Sequence, residues 1–228
     1  METSLHRELK RIYAGDGALV EVRVGKYRVD AMAGDLLVEV QHGSLSAICG
    51  KVRQLADLRP ILVVKPIVAR KTLVRQTRED GPVASRRLSP KRGTLLDLFH
   101  ELVYFTRAFP HRNLTIEAVL VEIEEWRYPG HGRRRRWRKN DFVVADQHLV
   151  SVGERVRLER PADLARLLPV PLRREFDSGE LAADQGVRRW VAQRIAYCLR
   201  ETGAVRQIGK AGNTLRYRTV TTRRRPAA

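Results

Sequence analysis

The sequence predicts an α/β core at its N-terminal end, followed by a basic α+β region and a small unit of two helices and a hairpin. Three observations carry this expectation. Three alternating apolar runs, "ALVEVRV", "YRVDAM" and "LLVEVQ", are split by tight turns and flanked by stretches with helical spacing. The run "PILVVKP" (60–66) is almost wholly apolar, which suits a strand covered on both faces. Near the other end, residues 177–220 read as short helix, glycine turn, longer helix, strand, turn and strand.

Leu5, Leu9, Ile12 and Tyr13 recur at helical spacing behind Ser4, a good N-cap, and Gly15 and Gly17 end that helix. Residues 18–24 and 27–32 are strands joined by the hairpin signal Gly25-Lys26. "AGD" turns the chain into a third strand, 36–41. Ser44 caps a second helix with Leu45, Ile48, Val52, Leu55 and Leu58 on one face. That helix is a crossover, so the strand at 60–66 is expected to run parallel to the third. Residues 79–93, rich in Gly, Pro, Ser and Arg, read as a linker or surface loop. A helix is expected over 94–108, and a long alternating strand over 114–126. Strands at 141–146 and 148–159 read as a hairpin pair. Pro161 begins a short helix, and a capped helix covers 177–186. The helix at 187–203 carries Trp190, Val191, Ile195, Cys198 and Leu199 as its apolar stripe, with Gly203 as its cap. The expected division is 1–78 core, 79–93 linker, 94–160 basic α+β region, 161–220 terminal unit and 221–228 basic tail.

Charge narrows the function classes. The chain of 228 residues has 44 Lys and Arg against 26 Asp and Glu, a net charge of +18. Residues 1–60 hold 9 basic and 8 acidic side chains, so the excess falls almost entirely on residues 61–228. Such a field suits a polyanionic partner, nucleic acid and DNA above all. Cys49 and Cys198 match neither a metal nor a disulfide spacing, as expected for reduced thiols in the cytoplasm, or beside a prokaryotic nucleoid. No apolar run is long enough for a membrane span, and "METSLHRELK" lacks the apolar stretch of a signal peptide. The six histidines show no HxH or HExxH spacing, and no Ser/His/Asp set or phosphate-cradling glycine motif is present.

The near-neutral segment holds the candidate chemistry. Glu39 and Gln41 are two apart on one strand and face one side; Asp30 lies on the neighbouring strand, and Glu8 on the first helix leans over the same corner. Hard oxygen donors in that arrangement suit Mg²⁺ or Mn²⁺, and such an ion polarises a phosphoryl oxygen and activates water. "RVD" (28–30) followed by "VEVQ" (38–41), within helix–strand–strand–strand–helix–strand, resembles the core of the PD-(D/E)XK nuclease superfamily over about the first 70 residues. The resemblance implies an α/β nuclease-like core. It places Asp30, Glu39 and the Val40 carbonyl as metal ligands and Glu8 as an auxiliary acid. Gln41 stands where the family usually has Lys and would position water or phosphate. Lys51 or Lys65 would replace the missing cation, and Arg28 and His42 are candidates to meet a phosphate. The plainer alternative is a pair of polar residues on an exposed sheet face.

Residues 161–220 resemble a winged helix. That likeness implies DNA contacts from Arg188, Arg189, Gln193 and Arg200 on the reading helix, and from Lys210, Arg216 and neighbouring Arg206, Asn213 and Arg218 at the wing. "RRRRWRK", with Arg133, Arg134, Arg135, Arg136 and Trp137, reads as an arm for phosphates and an unpaired base. The leading expectation is therefore a divalent-metal-dependent DNA endonuclease, structure-selective, with a homodimer as the assembly that would bring two sites to the two strands of a duplex. The alternatives are a winged-helix DNA binder with an inactive core and a protein that acts on RNA.

Overall fold

A computed structural model describes residues 3–130 and 141–220. It is a mixed α/β fold built on one large, mostly antiparallel sheet. Helix α1 (Ser4–Ala14) leads into strands β1 (Leu19–Val24), β2 (Tyr27–Ala33) and β3 (Leu36–Val40), which pair antiparallel in sequence. Helix α2 (Cys49–Ala56) crosses over, and β4 (Ile61–Gln76) lies parallel to β3 from Leu37↔Ile61 to Val40↔Val64. The crossover and its parallel pairing match the expectation from the apolar run at 60–66.

Several boundaries differ from the sequence reading. β4 continues ten residues past Pro66, because "IVARKTLVRQ" keeps pairing with β6 (Leu114–Pro129) and β5 (Val83–Leu88). The segment 79–93 thus contains a strand, β5, exposed at every residue. The helix expected over 94–108 is shorter: a turn at Leu95–Asp97, closed by a Thr94/Asp97 capping box, precedes α3 (Leu98–Leu102). Residues 142–158 form one strand, β7 (Phe142–Leu158), antiparallel to β6, and not two paired strands. β6 and β7 complete the order β1-β2-β3-β4-β6-β7, so residues 94–160 belong to the same sheet as residues 1–78.

The sheet is covered on both sides. On one face Leu5 and Leu9 of α1 pack with Ala31, Val38, Val40, Leu62, Val64, Val119 and Val121. On the other, Leu37, Val52, Leu55, Val63, Phe99, Phe105 and Phe109 form a core that runs on into Leu181, Ile195 and Leu199. Each such side chain removed from water contributes about 1.5–3 kcal/mol. The last unit therefore packs into the main core.

That unit has a turn at Pro161–Leu167, then β8 (Glu175–Asp177), α4 (Ser178–Gln185), α5 (Arg189–Glu201), β9 (Val205–Ala211) and β10 (Thr214–Thr219). Its sheet order is β8-β10-β9. Asp177 caps α4 through the Gly179 and Glu180 N–H groups, and Gly186 ends it with φ +62°, where only glycine is comfortable. The buried positions of α5 are Ala192, Ile195, Ala196, Cys198 and Leu199. Trp190, expected in that stripe, is 48% exposed.

Candidate functional site

The β2–β3 pairing stops at Ala31↔Val38. Beyond it the Asp30 side chain takes the place of a strand neighbour. Its Oδ2 accepts the Val40 N–H at 2.7 Å and lies 3.2 Å from His6 Nε2. Lys10 Nζ stands 3.8 Å from Oδ1. His6 and Lys10 are four apart on α1, so one helix face presents both to Asp30. The N–H groups of Leu37 and Gln41 point to β4, so the Val40 N–H and carbonyl face the β2 side, where Asp30 sits.

Glu39 follows on β3 and is buried. Lys51 of α2 donates to both its oxygens, at 2.7 and 2.6 Å. Burial pushes the Glu39 carboxyl up; Lys51 opposes this and the Asp30 charge adds to it, leaving the pKa above the ordinary carboxylate value. Burial also pushes Asp30 up, but there the hydrogen bonds from His6 and Val40, with the His6 and Lys10 charges, win and hold its pKa low. The two neighbouring acids are thus pulled in opposite directions, Glu39 by burial and Asp30 by its hydrogen bonds and nearby cations.

A third acid lies on β1. Glu21 falls between the pairs Val20↔Ala31 and Val22↔Val29, opposite Asp30. Its φ is +54°, a strained value costing about 1–3 kcal/mol. Its carboxylate accepts from Lys10 and from Arg28 Nε at 2.6 Å. The sequence reading missed Glu21, His6 and Lys10. The Leu5/Leu9 stripe carries the signal for the last two, since each follows a buried leucine by one position.

Other expected members sit elsewhere. Glu8 is half-buried and makes no hydrogen bond or ion pair with Asp30 or Glu39 among the described residues. Gln41 Nε2 donates to the Ser44 carbonyl at 2.9 Å and braces the turn into α2. Lys65 Nζ donates to the His42 and Gly43 carbonyls and not to the acids. Of the two lysines named as substitutes, Lys51 is the one on the carboxylate. His42 is depressed by burial, then by Lys65 and Lys71, so it is neutral at pH 7. Beyond His42, buried Glu125 accepts from Lys71 at 2.7 Å and Gln147 at 2.9 Å, and pairs with Arg127.

With this geometry in view, the chain can be compared with known proteins. A family model described as "Domain of unknown function (DUF8091)" matches residues 3–159. The chain belongs to that family. The DUF8091 match ends as β7 ends at Leu158, so it covers the large sheet and stops before the terminal unit. A protein of Treponema pallidum (strain Nichols), called an uncharacterized protein, is 29% identical over 219 residues, spanning 95% of this chain and 85% of its own. No solved structure matches the chain.

Outside the DUF8091 match, Arg188, Arg189, Gln193 and Lys210 are exposed. Arg189 reaches the Thr214 hydroxyl at 3.3 Å, and Arg200 is half-buried against Glu201. Arg216 and Arg218 are half-buried and engaged with Glu180 and Glu175, at 3.5 and 2.7 Å, so they brace the small sheet. Arg133, Arg134, Arg135, Arg136 and Trp137 lie outside the described residues. Among the described residues no helix is long and apolar enough to cross a membrane.

Proposed function

We propose that the chain is a divalent-metal-dependent nuclease with a PD-(D/E)XK-like core and a winged-helix-like terminal unit, acting on DNA. One observation carries the reading: Asp30 and Glu39 are near enough for their charges to interact where β2 and β3 part, with the Lys51 ammonium on both oxygens of Glu39. The helix, three antiparallel strands, crossover and parallel strand around them fit the nuclease pattern. The order β8-β10-β9 around α4 and α5 fits a winged helix.

The donor set fits Mg²⁺ or Mn²⁺. Asp30, Glu39 and the Val40 carbonyl would hold the ion, which would supply Lewis-acid polarisation of a phosphoryl oxygen and a more acidic water. Lys51 and Lys10 stand against the two acids, so an ion would have to displace them from the carboxylate oxygens. In this reading Lys51 takes the part usually played by the lysine of the motif. It orients the attacking water and offsets charge on the phosphate. His6 and the Val40 N–H keep Asp30 ionised and fixed. Gln41 has a positioning part through Ser44, since it shapes the turn ahead of α2.

A second reading rests on its own observation. Among the described residues no group of three or more His, Cys, Asp or Glu is placed to hold a metal, and His6, Lys10 and Lys51 compensate both acids. That arrangement suits a DNA-binding protein whose core holds charge without catalysis. Cleavage of labelled duplex, single strand, flap, four-way junction and RNA hairpin with Mg²⁺ or Mn²⁺ separates the two. The nuclease reading expects cleavage that vanishes in Asp30→Ala. Binding without cleavage in either metal favours the second reading.

A further inference from the structure

We propose that the exposed stripe of α5 is a stacking platform for unpaired bases of a nucleic-acid strand, and that it steers the protein to substrates with single-stranded segments. The inference rests on the nucleic-acid partner argued above and names the substrate class.

Trp190, Gln193, Arg194 and Tyr197 follow one another at helical spacing and are all exposed. With Val103 they line an open groove of about 340 Å³. A helix that reads duplex edges presents hydrogen-bonding side chains there. This one presents two large rings, 48% and 37% exposed. Each ring has an arginine against it. The Arg194 guanidinium lies 5.1 Å from the Trp190 ring centre, and that of Arg200 lies 5.6 Å from Tyr197.

The indole is held by two neighbours and remains exposed. His100 stacks on it with ring centres 5.4 Å apart and planes 21° apart. Arg194 Nη1 is also 2.9 Å from His100 Nδ1. His100 and Arg194 together hold the indole plane steady. The ring still leaves about half its surface exposed to a flat partner.

Charge selects the kind of partner. Residues 187–220 hold eight Lys and Arg and one acid, Glu201; Arg200, Arg216 and Arg218 are engaged with Glu201, Glu180 and Glu175, and the other five remain. Exposed Arg188 and Arg189 stand just before Trp190. Rings for bases beside cations for phosphates suit a single strand, because every base has a π-face and stacking needs no particular sequence. A duplex keeps its bases stacked internally and offers the rings nothing.

The test is binding of a labelled single-stranded DNA oligonucleotide and the matching duplex, in EDTA, by the full chain and by Trp190→Ala, Tyr197→Ala and Trp190→Phe. The expected result is a loss of about 5- to 150-fold in single-strand affinity for Trp190→Ala, since stacking is worth about 1–3 kcal/mol per base. Duplex affinity should stay unchanged, and Trp190→Phe should keep most of the binding. Tryptophan fluorescence should be quenched by the single strand in the parent protein and far less in Trp190→Phe. Equal losses on single strand and duplex, or none on either, would overturn the platform. So would a concentration-dependent dimer that Trp190→Ala abolishes while oligonucleotide binding persists, which would assign the stripe to a second copy. Cleavage of a flap or single strand that needs Asp30 but ignores Trp190 would leave the nuclease reading standing without the platform. No binding of any oligonucleotide by the parent protein would sink the nucleic-acid partner itself.

Discussion

Replacing Lys51 with Met removes the cation that holds Glu39. The methionine keeps the volume and the packing of the stem. What remains is a carboxylate with 8% side-chain exposure, next to the Asp30 charge. Breaking a buried pair from one side costs about 3–5 kcal/mol, and Lys51 itself is 17% exposed, so about 3 kcal/mol is the expected loss. For a chain of this size that lowers Tm by roughly 6–12 °C. The loss should depend on pH in a definite direction. Glu39 binds its proton more tightly folded than unfolded, so its contribution to stability falls as pH rises through the folded pKa. Removing Lys51 lifts that pKa further and widens the window upward. The variant should therefore lie nearest the parent at the acid end of the range and fall away as pH rises. Glu39→Gln on top of Lys51→Met should recover most of the loss, because no buried charge is left unpaired. Mn²⁺ should raise the variant's Tm, by about 2.7 kcal/mol worth of stability at a hundredfold excess over Kd. Thermal melts from pH 5 to pH 8 provide the assay. A Tm within about 2 °C of the parent throughout that range would refute the account of Glu39 as a charge held by Lys51.

Two further outcomes are expected. Asp30 is held low, so its stabilisation is full above its unfolded pKa and is lost as pH falls through the folded one; Asp30→Asn should flatten the acid limb of a stability–pH curve measured by urea unfolding. Burial pushes the Cys198 thiol up to about 12, whereas Cys49 is half-buried, so a thiol reagent at pH 8 should count one fast cysteine in the folded protein and two in denaturant.

Much of the N-terminal half was legible from side-chain periodicity alone. β1 and β2 alternate in sequence, and strands as apolar as β3 and 61–64 have to be covered on both faces. The rest was hidden for physical reasons. β5 is an edge strand exposed along its whole length, so no burial pattern marks it. The far half of β4 is charged because Lys71 meets Glu125 across the sheet, and a buried ion pair looks like a loop to a hydropathy reading. In α3 the apolar residues Leu98, Phe99, Leu102 and Phe105 are all buried, but turns deliver the last of them. In α5 the core positions go to Ala192 and Ala196, too small to register beside Trp190. At the site, Asp30 and Glu39 were legible by residue type. Their partners were not, because the rotation of α1 over the sheet and the bend at Glu21 are tertiary facts.

The pairing of β4 with β6 also has a consequence in time. It runs in parallel from Ile61↔Leu114 to Arg75↔Arg127, so each contact closes a stretch of about fifty residues. Contacts that distant in the chain form slowly. As the protein is synthesised, the strands bearing Asp30 and Glu39 emerge well before β6 does. Until it arrives, β4 has a bare apolar edge, the feature that invites aggregation. A fragment ending at residue 78 would carry both carboxylates and still lack half the floor beneath them. The two acids reach the ribosome exit early, but their setting is finished only when the middle of the chain has been made.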